Sequence, residues 1–284
     1  MSTDEVADHL TWWQRMALRK MRRQAGRGKD EPLQPEDWAA VWNFTHTNGK
    51  VMQRMWLALP SSPRCGVCSA PFAGAGRVFA SMLGYRPSRK NPHFCSTCIE
   101  MSPPGGATMV IGVLFADIRG FTTAAEDADP IELSKLLRRF YGCAESALFP
   151  EAIIDKLIGD EVMALYLTPL LPGVDIPAVM LSHANKLLAS IGYGDKDGPF
   201  VNVGVGLDYG EAFVGNIGDR AVYDFTAIGD VVNTAARLQG VATAGQAVIS
   251  RRVCEVAGGV PAGAVEQTFE LRGKNEPERA FVLG

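Results

Sequence analysis

No stretch of this 284-residue chain approaches the roughly 20 consecutive apolar residues that a membrane-spanning helix needs. No short apolar run follows a charged N-terminus, so no secretory signal is visible and a cytoplasmic protein is expected. No internal repeat is visible, which leaves no ground for a repeat architecture. Charge is not in excess: 21% of residues are charged against 47% apolar, the balance of a globular chain and not of a disordered one. The net charge of −3 hides a split. Residues 1–104 carry +6 and residues 105–284 carry −9, which points to two modules of different character. The acidic half disfavours wrapping a nucleic acid, and no nucleic-acid partner is expected.

Cysteine is scarce, and its placement is informative. Of six cysteines, four form two Cys-x-x-Cys pairs, Cys65/Cys68 and Cys95/Cys98, separated by 26 residues; Cys143 and Cys254 stand alone. Without an export signal, metal binding is a better reading than a disulfide framework. Two such pairs supply the closed tetrahedral thiolate shell of a structural Zn²⁺ site. An iron–sulfur centre and redox-active thiols are the alternatives. The segment between the pairs holds Gly74, Gly76 and Gly84 and few core residues, so it is hard to stabilise without a metal. Its shape resembles a zinc ribbon or treble clef.

Residues 11–29 hold seven basic residues and no acid. Leu10, Trp13, Ala17 and Met21 recur at helical spacing beside Arg15, Arg19 and Arg22. Such a helix buries its Trp face on its own chain or a dimer mate. Alternatively it meets an anionic membrane periphery or an acidic protein. A second helical stretch carries Trp38, Val41 and Trp42, then Met52, Met55, Trp56 and Leu59, and stops at Pro60. Three domains are therefore expected: a helical region over 1–60, regulatory, dimerising or membrane-surface; the cysteine module over 61–104; and a catalytic domain over 105–284, after the breaker cluster Ser102-Pro-Pro-Gly-Gly106.

Beyond that boundary the pattern predicts strands over 109–116, 152–158, 162–167, 200–207, 211–214, 247–249, 267–271 and 280–283. It predicts helices over 130–149, 177–191 and 230–239. The mixture suits an α+β sandwich. Asp117 follows a buried strand, and Asp160 sits in a Gly-Asp turn between two others. If those strands are neighbours, the two carboxylates can hold a pair of divalent cations for phosphoryl transfer; each alone also reads as a turn former. Gly120, Phe121 and Thr122 form a turn whose amides can cradle phosphate. Asn233 and Arg237, four apart, share a helix face and can meet a hydroxyl and a phosphate, or simply face water.

Four motifs together are far more specific than any one. Phe115-Ala-Asp-Ile-Arg-Gly-Phe-Thr122, Lys156-Leu-Ile-Gly-Asp-Glu161, Gly210-Glu-Ala-Phe-Val-Gly-Asn-Ile-Gly218 and Tyr223-Asp-Phe-Thr-Ala-Ile-Gly-Asp-Val-Val-Asn-Thr-Ala-Ala-Arg-Leu238 stand in order. They strongly resemble the class III nucleotidyl cyclase domain over residues 107–284. The resemblance implies a ferredoxin-like α+β domain that works as a head-to-tail homodimer with two composite sites. It also implies ATP as substrate and two Mg²⁺ or Mn²⁺ ions per site. Asp117, Ile118 and Asp160 match the metal-binding positions, and Phe121 and Thr122 the triphosphate turn. Lys156, Thr226, Asn233 and Arg237 match residues supplied by the other subunit. Asn233 would orient the ribose, and Arg237 would stabilise charge on the α-phosphate. Lys274 matches a phosphate-binding lysine, and Arg220 is a weaker phosphate candidate.

Base choice follows from two positions. Adenine offers an acceptor at N1 and a donor at N6, which suit the Lys156 ammonium and the Thr226 hydroxyl. Guanine reverses that pattern. The expected enzyme is thus an adenylate cyclase, a phosphorus–oxygen lyase. The alternatives are a guanylyl cyclase and a zinc-dependent interaction protein with an inactive cyclase domain. A diguanylate cyclase is disfavoured because no Gly-Gly-Asp/Glu-Glu-Phe signature appears.

Overall fold

The computed structural model describes residues 53–284 apart from Pro60, Val67, 100–104, Arg220, Ala221 and Asn275, together with Arg15, Arg19, 21–23, 25–29, Glu31 and Asp37. The expected helix faces built on Trp13, Trp38 and Trp42 lie outside the described residues, as does Arg220. The chain divides into two compact units, one of residues 1–109 and 213–228, the other of 110–212 and 229–284.

In the first unit residues 53–57 are helical and are followed by the cysteine segment. That segment contains helices α1 (Gly74–Met82) and α2 (Ser96–Ile99). Its sequence suggests few core residues, and the fold makes up the shortage from outside. Trp56 is fully buried and meets Tyr85 and Phe79 edge-on, with ring centroids 5.2 and 6.0 Å away. Ala80, Phe94 and Ile99 are also buried in this segment.

The remaining elements are β1 (Gly105–Ile118), α3 (Phe121–Asp127), α4 (Pro130–Leu148), β2 (Ile153–Ile158), β3 (Glu161–Leu167), α5 (Ile176–Ile191), β4 (Val203–Asp219), β5 (Val222–Ile228), α6 (Asp230–Val241), β6 (Ala247–Ser250), α7 (Arg251–Val256), β7 (Val265–Phe269) and β8 (Glu278–Leu283). The sheet order is β2-β3-β1-β4-β6-β8-β7, and β5 pairs with β4. This is the α+β architecture expected from the sequence.

The core of the second unit lies on both faces of the sheet. On one face α4, α5 and α7 pack Phe140, Leu148, Met180, Leu187 and Val253 against Leu114, Ala164, Val205 and Ile249. On the other, α6 packs Leu238 and Ala242 against Val248, Ala280 and Val282. The alternation of Val248 and Ile249 between the two clusters is the strand period of two. Burying each large side chain contributes about 1.5–3 kcal/mol. Helix starts are fixed locally: Asp129 accepts from the Ile131 amide at 2.9 Å beside Pro130, and Asp175 accepts from Ala178 at 3.1 Å.

Several elements differ from the sequence expectation, each for a physical reason. The strand expected at 109–116 begins at Gly105, inside the breaker cluster. A Cβ on Gly106 would collide with the backbone of Val214 and Gly215, and one on Gly215 with the backbone of Gly105 and Gly106, so Gly106 and Gly215 serve close approach of the two strands. The strands expected at 200–207 and 211–214 are one strand of 17 residues. Asp208 lies in the expected gap; its buried carboxylate accepts from Arg252 Nε at 3.1 Å and from the Tyr209 amide at 2.8 Å and stays inside the sheet. β5, α3 and α7 were not expected, because segments of six or seven residues carry too little periodicity; α1 was missed because its Gly74 and Gly76 read as loop.

Helix α6 rests on β4 at Gly206. A Cβ there would collide with the backbone of Ala235 and Gln239. Gly206→Ala is expected to cost about 1–3 kcal/mol of stability, as other overpacked sites do, and to displace α6. Thermal melting checks the first effect and the turnover number the second.

Candidate active site

The antiparallel register of β1 and β3 sets Asp117 opposite Glu161, one residue after Asp160. Gly159, with φ of 63°, makes the β2–β3 turn that presents Asp160. The neighbouring-strand condition for a carboxylate pair is therefore met. Burial pushes the Asp117 carboxyl up to about 7, helped by hydrogen bonding and repulsion from Asp160, while Arg119 opposes the shift. Burial and the Asp160 charge also raise Glu161. Such crowding of anions is what a divalent cation relieves, and an all-oxygen donor set suits Mg²⁺ or Mn²⁺. The residues present fit the ions that cyclase domains use.

Three side chains support this pair that the sequence reading did not single out. Arg119 donates to Asp117 Oδ2 at 3.1 Å, and the buried Gln239 donates to the same oxygen at 3.1 Å from α6. Tyr141 on α4 donates to the Gly159 carbonyl and braces the turn. Phe121 opens α3 and packs on the core, and Thr122 beside it is exposed. Gly120, with φ of 74°, is the left-handed residue before that helix.

Lys156 sits at a bulge in β2. Ile154 pairs with Ala164 and Lys156 with Met163, so Asp155 is the extra residue. Adjacent strand residues normally point to opposite faces; the bulge lets the buried Asp155 carboxylate hold Lys156 Nζ at 3.1 Å. Thr226 lies on β5 opposite Gly215 and is partly buried.

Asn233 and Arg237 lie on the outward part of α6, Asn233 exposed and Arg237 partly so. At about 100° per residue, Gln239 is about 200° around the helix from Arg237. One helix thus turns Gln239 toward Asp117 and turns Arg237 away. The Arg237 guanidinium lies over Gly273, 3.2 Å from where a Cβ would stand, so the loop of Lys274 borders it. Lys274 Nζ is 2.9 Å from both carboxylate oxygens of Asp230, which holds the Asp230 carboxyl below its usual range.

The four cysteine sulfurs Cys65, Cys68, Cys95 and Cys98 all lie within 4.8 Å of one another. None is in a disulfide. Hydrogen bonds from the other three thiols push the Cys65 thiol far down, and the same bonds push Cys95 and Cys98 up. Four cysteine sulfurs gathered this closely, with none in a disulfide, fit the tetrahedral shell of a bound metal cation. Among the described residues no helix is long and apolar enough to cross a membrane.

Helices on a mainly antiparallel sheet, with two carboxylates meeting where β1 ends and β3 begins, define an α+β domain whose carboxylate pair offers a donor set that fits divalent cations. The sequence model of the adenylate and guanylate cyclase catalytic domain matches residues 106–284, and the chain belongs to that family. It is similar to an adenylate cyclase of Anabaena cylindrica, 33% identical over 148 residues, covering 50% of this chain and 30% of the relative. It is also 28% identical to an uncharacterized protein of Mycobacterium tuberculosis, over 62% of this chain and 30% of that one. The chain thus spans less than a third of the length of these relatives. Among solved structures, the guanylyl cyclase Cya2 aligns with TM-score 0.54 and 27% identity, over 63% of this chain and 93% of that one. The adenylyl cyclase CyaB from P. aeruginosa shares the fold, with TM-score 0.52 and 23% identity, over 62% of this chain and 95% of that one.

Proposed function

We infer that this chain is an adenylyl cyclase that converts ATP to 3′,5′-cyclic AMP and pyrophosphate at a homodimer interface. The observation that carries this reading is the β1–β3 register that sets Asp117 beside Asp160. The Anabaena relative, named an adenylate cyclase, supports it. The ribose 3′-oxygen attacks the α-phosphorus, the bond from that phosphorus to the oxygen shared with the β-phosphate breaks, and pyrophosphate leaves. The hydroxyl proton passes to water. Two Mg²⁺ or Mn²⁺ ions on Asp117, the Ile118 carbonyl and Asp160 would acidify the 3′-hydroxyl and neutralise phosphate charge. Phe121 and Thr122 seat the triphosphate, Asn233 orients the ribose, and Arg237 and Lys274 meet phosphate oxygens. No protein nucleophile is needed.

The opposed directions of Gln239 and Arg237 on α6 support the homodimer. A single copy turns its transition-state arginine away from its own carboxylate pair, and a second copy related by a two-fold axis supplies the missing arginine. In the N-terminal module four thiolates suit structural Zn²⁺ best. The cytoplasm is where ATP is available to such an enzyme.

Lys156 and Thr226 favour adenine, because an ammonium is a donor and guanine N1–H would meet it with a second donor. Lys156→Glu is expected to lower kcat/KM for ATP by about 10²–10⁴-fold and to narrow the preference over GTP. Steady-state kinetics with both nucleotides measure this. The direct test of the whole reading is turnover of ATP and GTP in parallel, with Mn²⁺ and with Mg²⁺. Cyclic AMP is the expected product. Cyclic GMP alone would give the guanylyl cyclase reading, to which the 27% identity with Cya2 lends weight. No product with either nucleotide would favour an interaction protein.

A further inference from the structure

One side chain of the cysteine segment grips the strand that carries Thr226. Lys90 Nζ donates to the Phe225 carbonyl at 2.5 Å and pairs with Asp224 Oδ1 at 3.0 Å. The same ammonium lies 5.9 Å from the centroid of the buried Phe225 ring. The Lys90 side chain is only 14% exposed, so these charge-assisted bonds act in a partly dry place. The Phe225 carbonyl belongs to the peptide plane that joins Phe225 to Thr226. Because that plane is rigid, holding its oxygen fixes the backbone from which the Thr226 side chain springs.

Lys90 is itself held by a loop rooted in the cysteine cluster. Pro87 and Cys95 bridge the base of the loop, and the Ser88 amide donates to the Phe94 carbonyl at 2.8 Å. The Lys90 amide donates to Ser88 Oγ at 3.0 Å, and the His93 amide donates to Asn91 Oδ1 at 2.8 Å, with Ser88 and Asn91 both buried. At the root, the Cys95 amide donates to Cys65 Sγ at 3.2 Å, and Cys95 Sγ is 3.6 Å from Cys68 Sγ. A continuous path of bonded groups therefore runs from the four sulfurs through one short loop to the Phe225–Thr226 peptide.

We propose that Lys90 is a positioning residue for base selection, locking the Phe225–Thr226 peptide and coupling the order of β5 to the four-cysteine centre. The proposal rests on the reading that Thr226 meets the base. It makes the cysteine segment a governor of the nucleotide site as well as a structural appendage. Opening of the four-sulfur cluster, as by loss of a metal that Cys65, Cys68, Cys95 and Cys98 would hold, would loosen the 87–95 loop, free β5 and blur the choice of base.

The test uses the full chain and two readouts. Amide hydrogen exchange over residues 222–228 is expected to speed up by about tenfold or more in Lys90→Met, while the β3 control over 161–167 is unchanged. Cys65→Ser produces the same change at 222–228. Lys90→Arg recovers most of the protection, and Asp224→Asn, which spares the carbonyl contact, loses less. In steady state, Lys90→Met raises KM for ATP more than it lowers kcat and narrows the ATP-to-GTP ratio by about tenfold. In a Thr226→Val background the same change narrows it no further. Unchanged exchange at 222–228 in Lys90→Met overturns the clamp. Faster exchange with an unchanged ATP-to-GTP ratio overturns its role in base selection. The Thr226→Val variant alone then separates the two failures: if it also leaves the ratio unchanged, the reading of Thr226 has fallen, and if it narrows the ratio, only Lys90's part in it has.

Discussion

Asp117→Asn is expected to abolish cyclase turnover, by about a thousandfold or more, while the chain stays folded. The substitution keeps the shape of the side chain and an oxygen that can still accept from Arg119 and Gln239, both 3.1 Å from Oδ2 in the wild type. It removes the charge that a divalent cation needs. It also removes the crowding of anions that burial and Asp160 impose on this carboxyl. The pH dependence of stability follows. A carboxyl raised from 3.8 to about 7 in the folded state binds more protons folded than unfolded across that window. Metal-free wild type therefore loses stability as pH rises from 3.8 toward 7, and the loss is complete above it. Asp117→Asn flattens this slope. Adding Mn²⁺ at pH 8 raises the melting temperature of the wild type and leaves that of Asp117→Asn nearly unchanged. Melting curves across pH, with and without Mn²⁺, measure all three effects. A variant that turns over ATP at wild-type rate would remove Asp117 from the chemistry.

The paired carboxylates were legible in the sequence because Asp117 follows a buried apolar run and Asp160 sits in a Gly-Asp turn between two others. Their supporting groups were not. Gln239 reaches Asp117 from 122 positions away, and nothing in a helix pattern says that its buried face ends in a hydrogen bond to a strand terminus. Asp155 was invisible as the partner of Lys156 because the pair exists only through a bulge, a register feature that one strand does not record. The gap expected between residues 207 and 211 is not there, because the buried Asp208 carboxylate accepts from the Tyr209 amide at 2.8 Å and pairs with the distant Arg252, a partner that the strand pattern does not record. The four cysteines were legible as a set because two Cys-x-x-Cys pairs offer the four ligands of one metal site. What they hold in place was not: the loop between them carries Lys90 to a strand 135 residues further on. Local spacing is written in the sequence, whereas contacts made by tertiary closure are not.

Mixing two inactive variants is expected to restore activity, and this result depends on the site being shared between copies. Arg237→Ala alone should lower kcat by about 10²–10³-fold, the usual cost of removing a donor from developing negative charge. Stability should hardly change, because the side chain lies on the outer part of α6, away from the cluster of Leu238, Ala242 and Val248. Asp117→Ala alone should be at least as inactive. In a heterodimer of the two, one site combines the intact Asp117 of the first chain with the intact Arg237 of the second, and the other site lacks both. Random exchange makes about half of the dimers mixed, each with one working site of two, so activity returns to about a quarter of wild type. The logic depends on the geometry of α6. If Arg237 served the carboxylates of its own chain, every mixed site would lack one group, and the mixture would be as silent as its parts. Gln239 faces inward to Asp117 and Arg237 points about 200° away from it, which is the arrangement that a site shared between two copies requires. Recovery near a quarter would show that the arginine works in trans; no recovery after verified subunit exchange would require a site completed within one chain.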